Sequence, residues 1–425
     1  MKAPAATSIM VYADWASLKG PRFMGTLLAQ RIRGKEVFSF EYDPAWLSSG
    51  DTVRFLDPHL GLYPGKQYAP NEKSNFGLFL DSAPDRWGRM LMRSREAVMA
   101  RAEGRSIINL LESDYLLGVF DGHRMGALRF KLSPEGDFLN NQKKLASPPW
   151  TSLRELEQAS LNLEKDGSMD DPKYAKWLDL LLAPGSSLGG ARPKAGVVDE
   201  KGDLWIAKFP SHHDDKNIGA WEMVLHHLAK ACGIHVPEAK LMRFSGKHHT
   251  YLSKRFDRTD GNKRLHFASA MTLLGFEDGA DHTEGAGYLS LAAFILQYGC
   301  SPLQDLEQLW RRMLFNVLVS NTDDHLRNHG FLMEDNGWRL SPAYDMNPNE
   351  TGNGLTLNIS DMSNEQDIGL VMDSAPYFRL KEEHASRILK KMKSEIRNWR
   401  SVAKNMGIPS AEIERTIRAF RLADH

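Results

Sequence analysis

The stretches NTDDHLRNH (residues 321–329) and LSPAYDM (residues 340–346) decide how this chain folds. An apolar run over residues 313–319 leads into Asp323, and Asn328 follows Asp323 by five residues. A short hairpin-like segment then leads to Asp345. One carboxylate can meet the proton of an attacking hydroxyl, while an amide and a second carboxylate offer hard oxygen ligands to Mg²⁺.

This order of residues is typical of a protein-kinase catalytic loop followed by its metal-binding aspartate. A simpler interpretation is a turn rich in Asp and Asn, because both residues favour turns through local hydrogen bonds. The spacing of Asp323, Asn328 and Asp345 around a hairpin favours the catalytic interpretation once a lysine on a preceding strand is added.

Composition limits the class of protein. A chain of 425 residues suggests two or three domains or lobes, and 42% hydrophobic with 25% charged residues is typical of a globular protein. The formal net charge is zero, which gives no support for nucleic-acid or membrane binding. We expect a cytoplasmic protein without membrane contact, because the sequence shows neither a spanning segment nor a signal-peptide core.

The predicted fold class is α+β, with a two-lobed, protein-kinase-like arrangement. Residues 1–145 form an N-terminal α+β region, residues 146–258 a small-lobe part, and residues 259–425 a helical large lobe. We predict strands at 9–15, 37–42, within 116–132, 195–198, 204–209, 241–244 and 250–254. We predict helices at 76–100 with a break near Pro84, 152–165, 173–182, 219–231 and through most of the chain after residue 288.

The small-lobe part begins with a Gly/Ser-rich loop over residues 184–194. Its backbone amides can approach phosphate oxygens, although it lacks the Walker pattern and a flexible linker is an alternative. Lys208 lies on the apolar strand that follows. An inward lysine needs a partner, and a nucleotide phosphate with Glu222 on the next helix would satisfy it. The alternative is an edge-strand lysine that faces water.

Other charged groups allow further interpretations. His325 and His329 lie one turn apart beside Asp323, so a metal-dependent hydrolase site is an alternative to the kinase. The Arg-Phe-Asp-Arg run at 255–258 suggests an ion-pair staple at a strand end. A basic tail over residues 378–400 is either a solvated helix face or a weak contact with DNA or an acidic partner.

Together these motifs resemble the HipA family of serine/threonine kinase toxins from bacterial toxin–antitoxin pairs. The resemblance covers nearly the whole chain. The matching motifs lie at residues 42–47, 125–128, 187–194, 205–208, 254–258, 321–328 and 344–346.

The resemblance implies the cofactors ATP and Mg²⁺ and a role for each matching residue. Asp323 would be the catalytic base or hydroxyl-orienting carboxylate, and Asn328 and Asp345 would hold magnesium. Residues 189–194 would cover the triphosphate, Lys208 would bind the α/β-phosphates, and residues 254–256 would meet the adenine. The full set expected at the nucleotide site is Gly189, Gly190, Ala191, Arg192, Lys194, Lys208, Glu222, Lys254, Arg255, Phe256, His325, Asn328, Tyr344 and Asp345.

The resemblance also implies regulation and partners. Family members silence themselves by autophosphorylating a loop serine, for which Ser187 and its neighbour Ser186 are the candidates. The implied partner is a helix-turn-helix, HipB-like antitoxin, through which DNA would be reached, and the suggested substrate is a protein such as a tRNA synthetase or translation factor. A small-molecule kinase and a catalytically silent corepressor acting with the antitoxin remain alternatives.

Overall fold

We analysed a computed structural model that describes residues 6–50, 55–143, 146–165, 167–182, 190, 192–244 and 246–424. The chain forms two compact units. The first contains Met1–His212 and Asp257–Ala268, and the second contains His213–Phe256 and Ser269–His425. The division into three functional regions made from the sequence remains a prediction.

The first unit is built on a five-stranded antiparallel sheet with strand order β4-β3-β2-β1-β5. Its strands are β1 (Ala6–Ala13), β2 (Arg22–Ile32), β3 (Lys35–Tyr42), β4 (Gln67–Tyr68) and β5 (Leu128–Lys131). Alternate residues of β1 are buried, as expected when one face of a strand covers a core. The strands predicted at 9–15 and 37–42 are confirmed as β1 and β3.

Helices and a hairpin complete the first unit. Its helices are α1 (Pro44–Leu47), α2 (Gly77–Leu80), α3 (Arg86–Ala102), α4 (Glu112–Gly118), α5 (Leu153–Leu163) and α6 (Tyr174–Leu182). The hairpin pairs β6 (Lys194–Val198) with β7 (Leu204–Lys208), with Lys194 opposite Lys208. The predicted break near Pro84 is confirmed between α2 and α3, where Asp85 accepts a hydrogen bond from the Gly88 amide at 2.8 Å.

One prediction for the first unit needs correction, and one strand was missed. The strands predicted within 116–132 are wrong for the first part of that range, where α4 ends at Gly118 and a short 3₁₀ helix covers Asp121–His123. Only β5 is a strand there. The long strand β2 was not predicted, because its sequence contains Gly25 and has only two β-branched residues, Thr26 and Ile32, among its eleven.

Residues 257–268 return to the first unit and are held there by buried polar contacts. Asp257 accepts a hydrogen bond from the Gly126 amide at 2.9 Å and forms an ion pair with Arg258 at 2.6 Å. Arg264 donates to the Asp121 carbonyl at 2.6 Å. The predicted ion-pair staple after the strand is therefore confirmed for Asp257 and Arg258.

The second unit is mainly helical. Its elements are α7 (Ile218–Ala231), β8 (Ala239–Met242), β9 (Thr250–Lys254), the last residue of β10 (Phe267–Ser269), α8 (Ala270–Leu273), α9 (Tyr288–Tyr298), α10 (Pro302–Leu318), β11 (Gly330–Glu334), β12 (Gly337–Leu340), α11 (Ile368–Ser374), α12 (Glu382–Ile396), α13 (Trp399–Asn405), α14 (Ser410–Thr416) and α15 (Arg421–Asp424). β8 pairs antiparallel with β9, and β11 with β12. The predicted helical region with an embedded hairpin is confirmed.

Helix α10 organises the core of the second unit. Leu306, Leu309, Trp310 and Met313 are fully buried and recur at helical spacing. The next turns are also buried, so the helix carries the chain through the core to the loop that contains Asp323. In the part of the chain that the structure describes, no helix is long and apolar enough to cross a membrane.

Candidate functional site

The loop after α10 leaves the core through a tight turn. Ser320 is fully buried and has a φ of +49°, in the left-handed region. The next residue, Asn321, donates to the Asn316 side chain at 3.0 Å and accepts from the Asn347 amide at 3.1 Å. The loop is thus tied both to the helix before it and to the chain that follows Asp345.

The predicted catalytic carboxylate, Asp323, lies on the open side of this loop. Its side chain is 84% exposed, and Oδ1 lies 3.9 Å from Nε2 of His325. The pKa of Asp323 is raised above its ordinary value by loss of hydration, with a further contribution from Asp345, whereas His325 lowers it. A raised pKa suits a proton acceptor.

Asn328 is oriented by the loop itself. It ends a short 3₁₀ helix over Leu326–Asn328, and its Nδ2 donates to the Asp323 carbonyl at 2.8 Å. The amide oxygen is therefore the remaining polar atom of this side chain that can bind a cation. The sequence predicted the residue, and the structure supplies the orientation.

The hairpin of β11 and β12 returns the chain to Tyr344 and Asp345. The Tyr344 hydroxyl donates to the Arg327 carbonyl at 2.7 Å, and its ring lies 5.5 Å from that of Phe256. Asp345 has a φ of +57°, a conformation that aspartate tolerates better than most residues. Two residues predicted for the nucleotide site, Phe256 and Tyr344, are thus in contact.

Tyr251 is influenced by two predicted site residues, Glu222 and Asp345. This tyrosine is buried on β9, and its pKa is raised well above its ordinary value by burial, with added contributions from the carboxylates of Glu222 and Asp345. Both carboxylates therefore lie near its hydroxyl. Glu222 is itself 3% exposed. Glu222 and Asp345 thus both influence Tyr251, a residue that no motif in the sequence pointed to.

The backbone of α7 comes very close at Gly219 to the backbone that leads into β9. A Cβ atom added to Gly219 would lie 2.4 Å from the His249 carbonyl oxygen, so only glycine fits without movement. Glu222 follows one turn later on the same helix. The distance between α7 and the start of β9 is therefore set by the absence of a side chain at Gly219.

Several other predicted nucleotide residues lie in the first unit. Lys194 is 4% exposed, and its Nζ forms an ion pair with Asp85 at 2.7 Å. Its carbonyl accepts a hydrogen bond from Trp87 Nε1 at 3.0 Å. Lys208 is half-buried on β7. Ser186, Ser187, Gly189 and Ala191 lie outside the described residues.

Five further predicted residues are placed as follows. Gly190 and Arg192 precede β6, whereas Lys254 ends β9 and Arg255, 5% exposed, follows it. His325 is partly exposed beside Asp323. The Gly190 carbonyl accepts a hydrogen bond from Lys194 Nζ at 3.4 Å. The roles of all five residues remain predictions.

The donor set fits a magnesium ion. Asn328 offers an amide oxygen and Asp345 a carboxylate, which are hard oxygen ligands, and magnesium completes its shell with phosphates and water. Among the described residues, no cluster of three or more His, Cys, Asp and Glu could hold a metal ion without such help.

The predicted hydrolase alternative needs Asp323, His325 and His329 to share a metal. His329 is 3% exposed, and its ring packs edge-on against Tyr288 at 5.4 Å. Burial lowers the pKa of His329 to about 3. The exposed Asp323 and the enclosed His329 therefore do not form a ligand set, and this alternative is wrong.

Comparison with known proteins gives the family. The model of the HipA-like C-terminal domain matches residues 186–420, more than half of the chain. A putative kinase of Haemophilus influenzae is 30% identical over 179 residues, covering 38% of this chain and 52% of that protein. The serine/threonine-protein kinase toxin HipA of Shewanella oneidensis is 28% identical over 276 residues, covering 56% of this chain and 61% of that protein. The chain thus spans about half to three-fifths of the length of these relatives.

A solved structure shows the same fold. The complex of HipA, HipB and operator DNA from Shewanella oneidensis matches 98% of this chain and 96% of that chain, with a TM-score of 0.64 and 16% identity. At this identity the likeness establishes the fold alone. It confirms the predicted α+β, protein-kinase-like fold. With the match over residues 186–420, it follows that the chain belongs to the HipA family of kinase-like proteins.

Proposed function

We propose that the chain is an ATP- and Mg²⁺-dependent protein serine/threonine kinase of toxin–antitoxin type. The observation that carries this proposal is the orientation of Asn328, whose amide nitrogen is held by the Asp323 carbonyl at 2.8 Å. Its oxygen is left for a cation, and Asp345 supplies the second ligand. Magnesium and ATP would contribute the transferable phosphoryl group and neutralise its charge.

In this proposal Asp323 orients the attacking hydroxyl and accepts its proton. The carboxylate is exposed, so a side chain of another protein can reach it. Its raised pKa brings it closer to the working pH, which makes it a better base than an ordinary aspartate. Lys208 binds the α/β-phosphates, and Phe256 with Tyr344 borders the nucleotide base.

Self-inhibition is the second part of the proposal. Ser186 or Ser187 becomes phosphorylated by the enzyme itself. A phosphoserine adds about 1.5–2 negative charges where the ATP phosphates must lie, so repulsion lowers nucleotide affinity. Repulsion of this kind requires no rearrangement of the catalytic loop.

The proposed partner is a HipB-like helix-turn-helix antitoxin, and DNA would be reached through it. Support comes from the fold shared with the chain of the HipA–HipB–operator DNA complex. The proposed acceptor is a protein of the translation machinery. Gel filtration of the chain mixed with a candidate antitoxin, with and without operator DNA, tests the assembly.

The kinase proposal is tested by incubating phosphatase-treated protein with radiolabelled ATP and Mg²⁺. Wild type should incorporate label, and mass spectrometry should place it on Ser186 or Ser187. Asp323→Ala should reduce labelling at least a hundredfold, whereas Asp373→Ala, an exposed aspartate on α11, should leave it unchanged. Wild type that arrives unphosphorylated, takes up no label and binds no ATP with Mg²⁺ would overturn the proposal.

A further inference from the structure

Asp324, the neighbour of the proposed catalytic residue, has a fully enclosed carboxylate that joins three parts of the second unit. It is 1% exposed. Its Oδ2 accepts a hydrogen bond from the Tyr288 hydroxyl on α9 at 2.6 Å. Its Oδ1 accepts from the Thr356 amide at 2.8 Å. One side chain therefore links the catalytic loop to a core helix and to the chain that follows Asp345.

The core side of this connection continues through neutral amides. Asn316 on α10 donates to the Tyr288 hydroxyl at 2.9 Å, and Asn321 donates to Asn316 at 3.0 Å. Because Tyr288 already accepts from Asn316, its own proton is directed to Asp324. Two helices thus fix the position of the Asp324 carboxylate from behind.

The other side of the connection holds residues 347–366, which we call the 347–366 segment. Thr356 donates to the Thr322 carbonyl through both its amide, at 3.1 Å, and its hydroxyl, at 2.8 Å. Asn349 donates through Nδ2 to the Thr322 hydroxyl at 2.7 Å and through its amide to the Ser320 carbonyl at 2.9 Å. The segment is held against the catalytic loop at each of residues 320, 322 and 324.

The 347–366 segment occupies the chain position at which kinases carry the activation segment, directly after the magnesium-binding aspartate. In many kinases a phosphate added to that segment supplies the negative charge that orders it. Here Asp324 supplies a carboxylate from the catalytic loop. Its donors, which include the Tyr288 hydroxyl and the Thr356 amide, are unmodified parts of the chain.

We propose that Asp324 is the positioning residue of this site, and this inference rests on the proposed kinase function. It fixes the 347–366 segment against the catalytic loop and holds Asp323 in place, so that the segment needs no phosphorylation to become ordered. Asp324 itself touches neither nucleotide nor acceptor. Its effect on the reaction passes through Thr356 and through the loop backbone.

The electrostatic setting of Asp324 agrees with a fixed role. Burial raises its pKa to about 7, while hydrogen bonds from Tyr288 and from the backbone amides of Thr356, Leu357 and Asp324 itself lower it. Two charged or titratable groups lie close to this network, His329 and Arg312 on α10. Arg312 lowers the pKa of both Tyr288 and His329. A carboxylate held in this environment is costly to leave without its donors.

The test compares Asp324→Asn and Tyr288→Phe with wild type in hydrogen exchange and in autophosphorylation. An asparagine can accept only one of the two hydrogen bonds, so exchange in peptides from the 347–366 segment should rise at least tenfold. The autophosphorylation rate should fall at least tenfold, with the Kd for Mg²⁺-ATP changing less than threefold. Tyr288→Phe removes one donor and should give smaller changes in the same direction.

The matched control is Asp57→Asn in the first unit. Asp57 is also 1% exposed and also accepts from two backbone amides, those of His59 and Leu78. The Asp57→Asn variant should be less thermally stable than wild type. Its hydrogen exchange in the 347–366 segment and its autophosphorylation rate should equal those of wild type. A merely structural Asp324 would behave like this control.

The outcomes separate the two proposals. Unchanged exchange in the 347–366 segment of both variants would overturn the positioning role even when wild type is active. Faster exchange in a protein whose wild type takes up no label would retain the positional link and overturn the kinase function. If Asp324→Asn does not fold, Tyr288→Phe decides, because it removes a single hydroxyl.

Discussion

The amide nitrogen of Asn328 donates to the Asp323 carbonyl at 2.8 Å, and in the proposed function the amide oxygen of Asn328 binds the cation. We predict that Asn328→Ala raises the Kd for ATP at least tenfold in the presence of Mg²⁺ and changes it less than twofold in EDTA. Isothermal titration under both conditions measures this difference.

The control for this prediction is Asn405→Ala, an exposed asparagine at the end of α13. It should bind ATP as wild type does under both conditions. An equal loss of affinity with and without Mg²⁺ in Asn328→Ala would mean that the residue shapes the loop and does not hold a metal ion.

A buried histidine in the first unit should make the fold sensitive to acid. His266 is 1% exposed, and burial lowers its pKa to about 3. The folded state therefore disfavours the charged form, so the stability contributed by neutral His266 is complete above pH ~6.5 and is lost as pH falls towards about 3. The expected slope approaches about 1.4 kcal/mol per pH unit.

Urea unfolding at several values between pH 7 and pH 4 measures this slope. His266→Gln should unfold more easily at pH 7 and lose less stability on acidification than wild type. His282→Gln, at a side chain that is 40% exposed, should follow the wild-type curve. Parallel curves for wild type and His266→Gln would contradict the assignment.

At the scale of elements, the buried ion pair of Lys194 and Asp85 connects β6 to the start of α3. Lys194→Met leaves the Asp85 carboxylate enclosed without its cation, and removing one partner of such a pair costs about 3–5 kcal/mol. We therefore predict a large loss of stability without any nucleotide present. Thermal unfolding of the ATP-free protein measures it.

The double variant Lys194→Met/Asp85→Asn should be less destabilised than the sum of the two single variants, because the uncompensated charge is gone. A Lys194→Met protein with unchanged stability and weakened ATP binding would instead favour the nucleotide role that the sequence predicts.

Periodicity predicted the elements whose residues face one core. Helix α10 and strand β3 are examples, since their apolar residues recur at the spacing of a helix or a strand. The spacing of Asp323, Asn328 and Asp345 in the sequence also predicted these three residues as site candidates. The hydrogen bonds of Asp324 could not be predicted from spacing, because Tyr288 and Thr356 lie 36 and 32 residues away from Asp324 in the sequence. They contact Asp324 only through tertiary packing.

At the scale of the whole molecule, the first unit is made of two separate parts of the chain. Within residues 257–268, Asp257 accepts a hydrogen bond from the Gly126 amide and Arg264 donates one to the Asp121 carbonyl. We predict that a fragment of residues 1–212 unfolds without a cooperative transition. The same fragment carrying residues 257–268 on a flexible Gly/Ser linker should unfold cooperatively in urea, as followed by circular dichroism.

A fragment carrying the same twelve residues in scrambled order is the control, and it should behave as the shorter fragment does. Equal midpoints for all three proteins would show that residues 257–268 contribute nothing to the first unit.

The discontinuity of the first unit also fixes an order of events on the ribosome. Synthesis proceeds from the N-terminus, so residues 213–256 of the second unit are made before the segment that completes the first. The first unit cannot close co-translationally until Ala268 has left the exit tunnel, and domains elsewhere often fold as they emerge. All five strands of its sheet have been made by residue 131, but until residue 268 emerges the unit lacks the contacts of Asp257 and Arg264. During that interval the incomplete unit is exposed to chaperones and proteases.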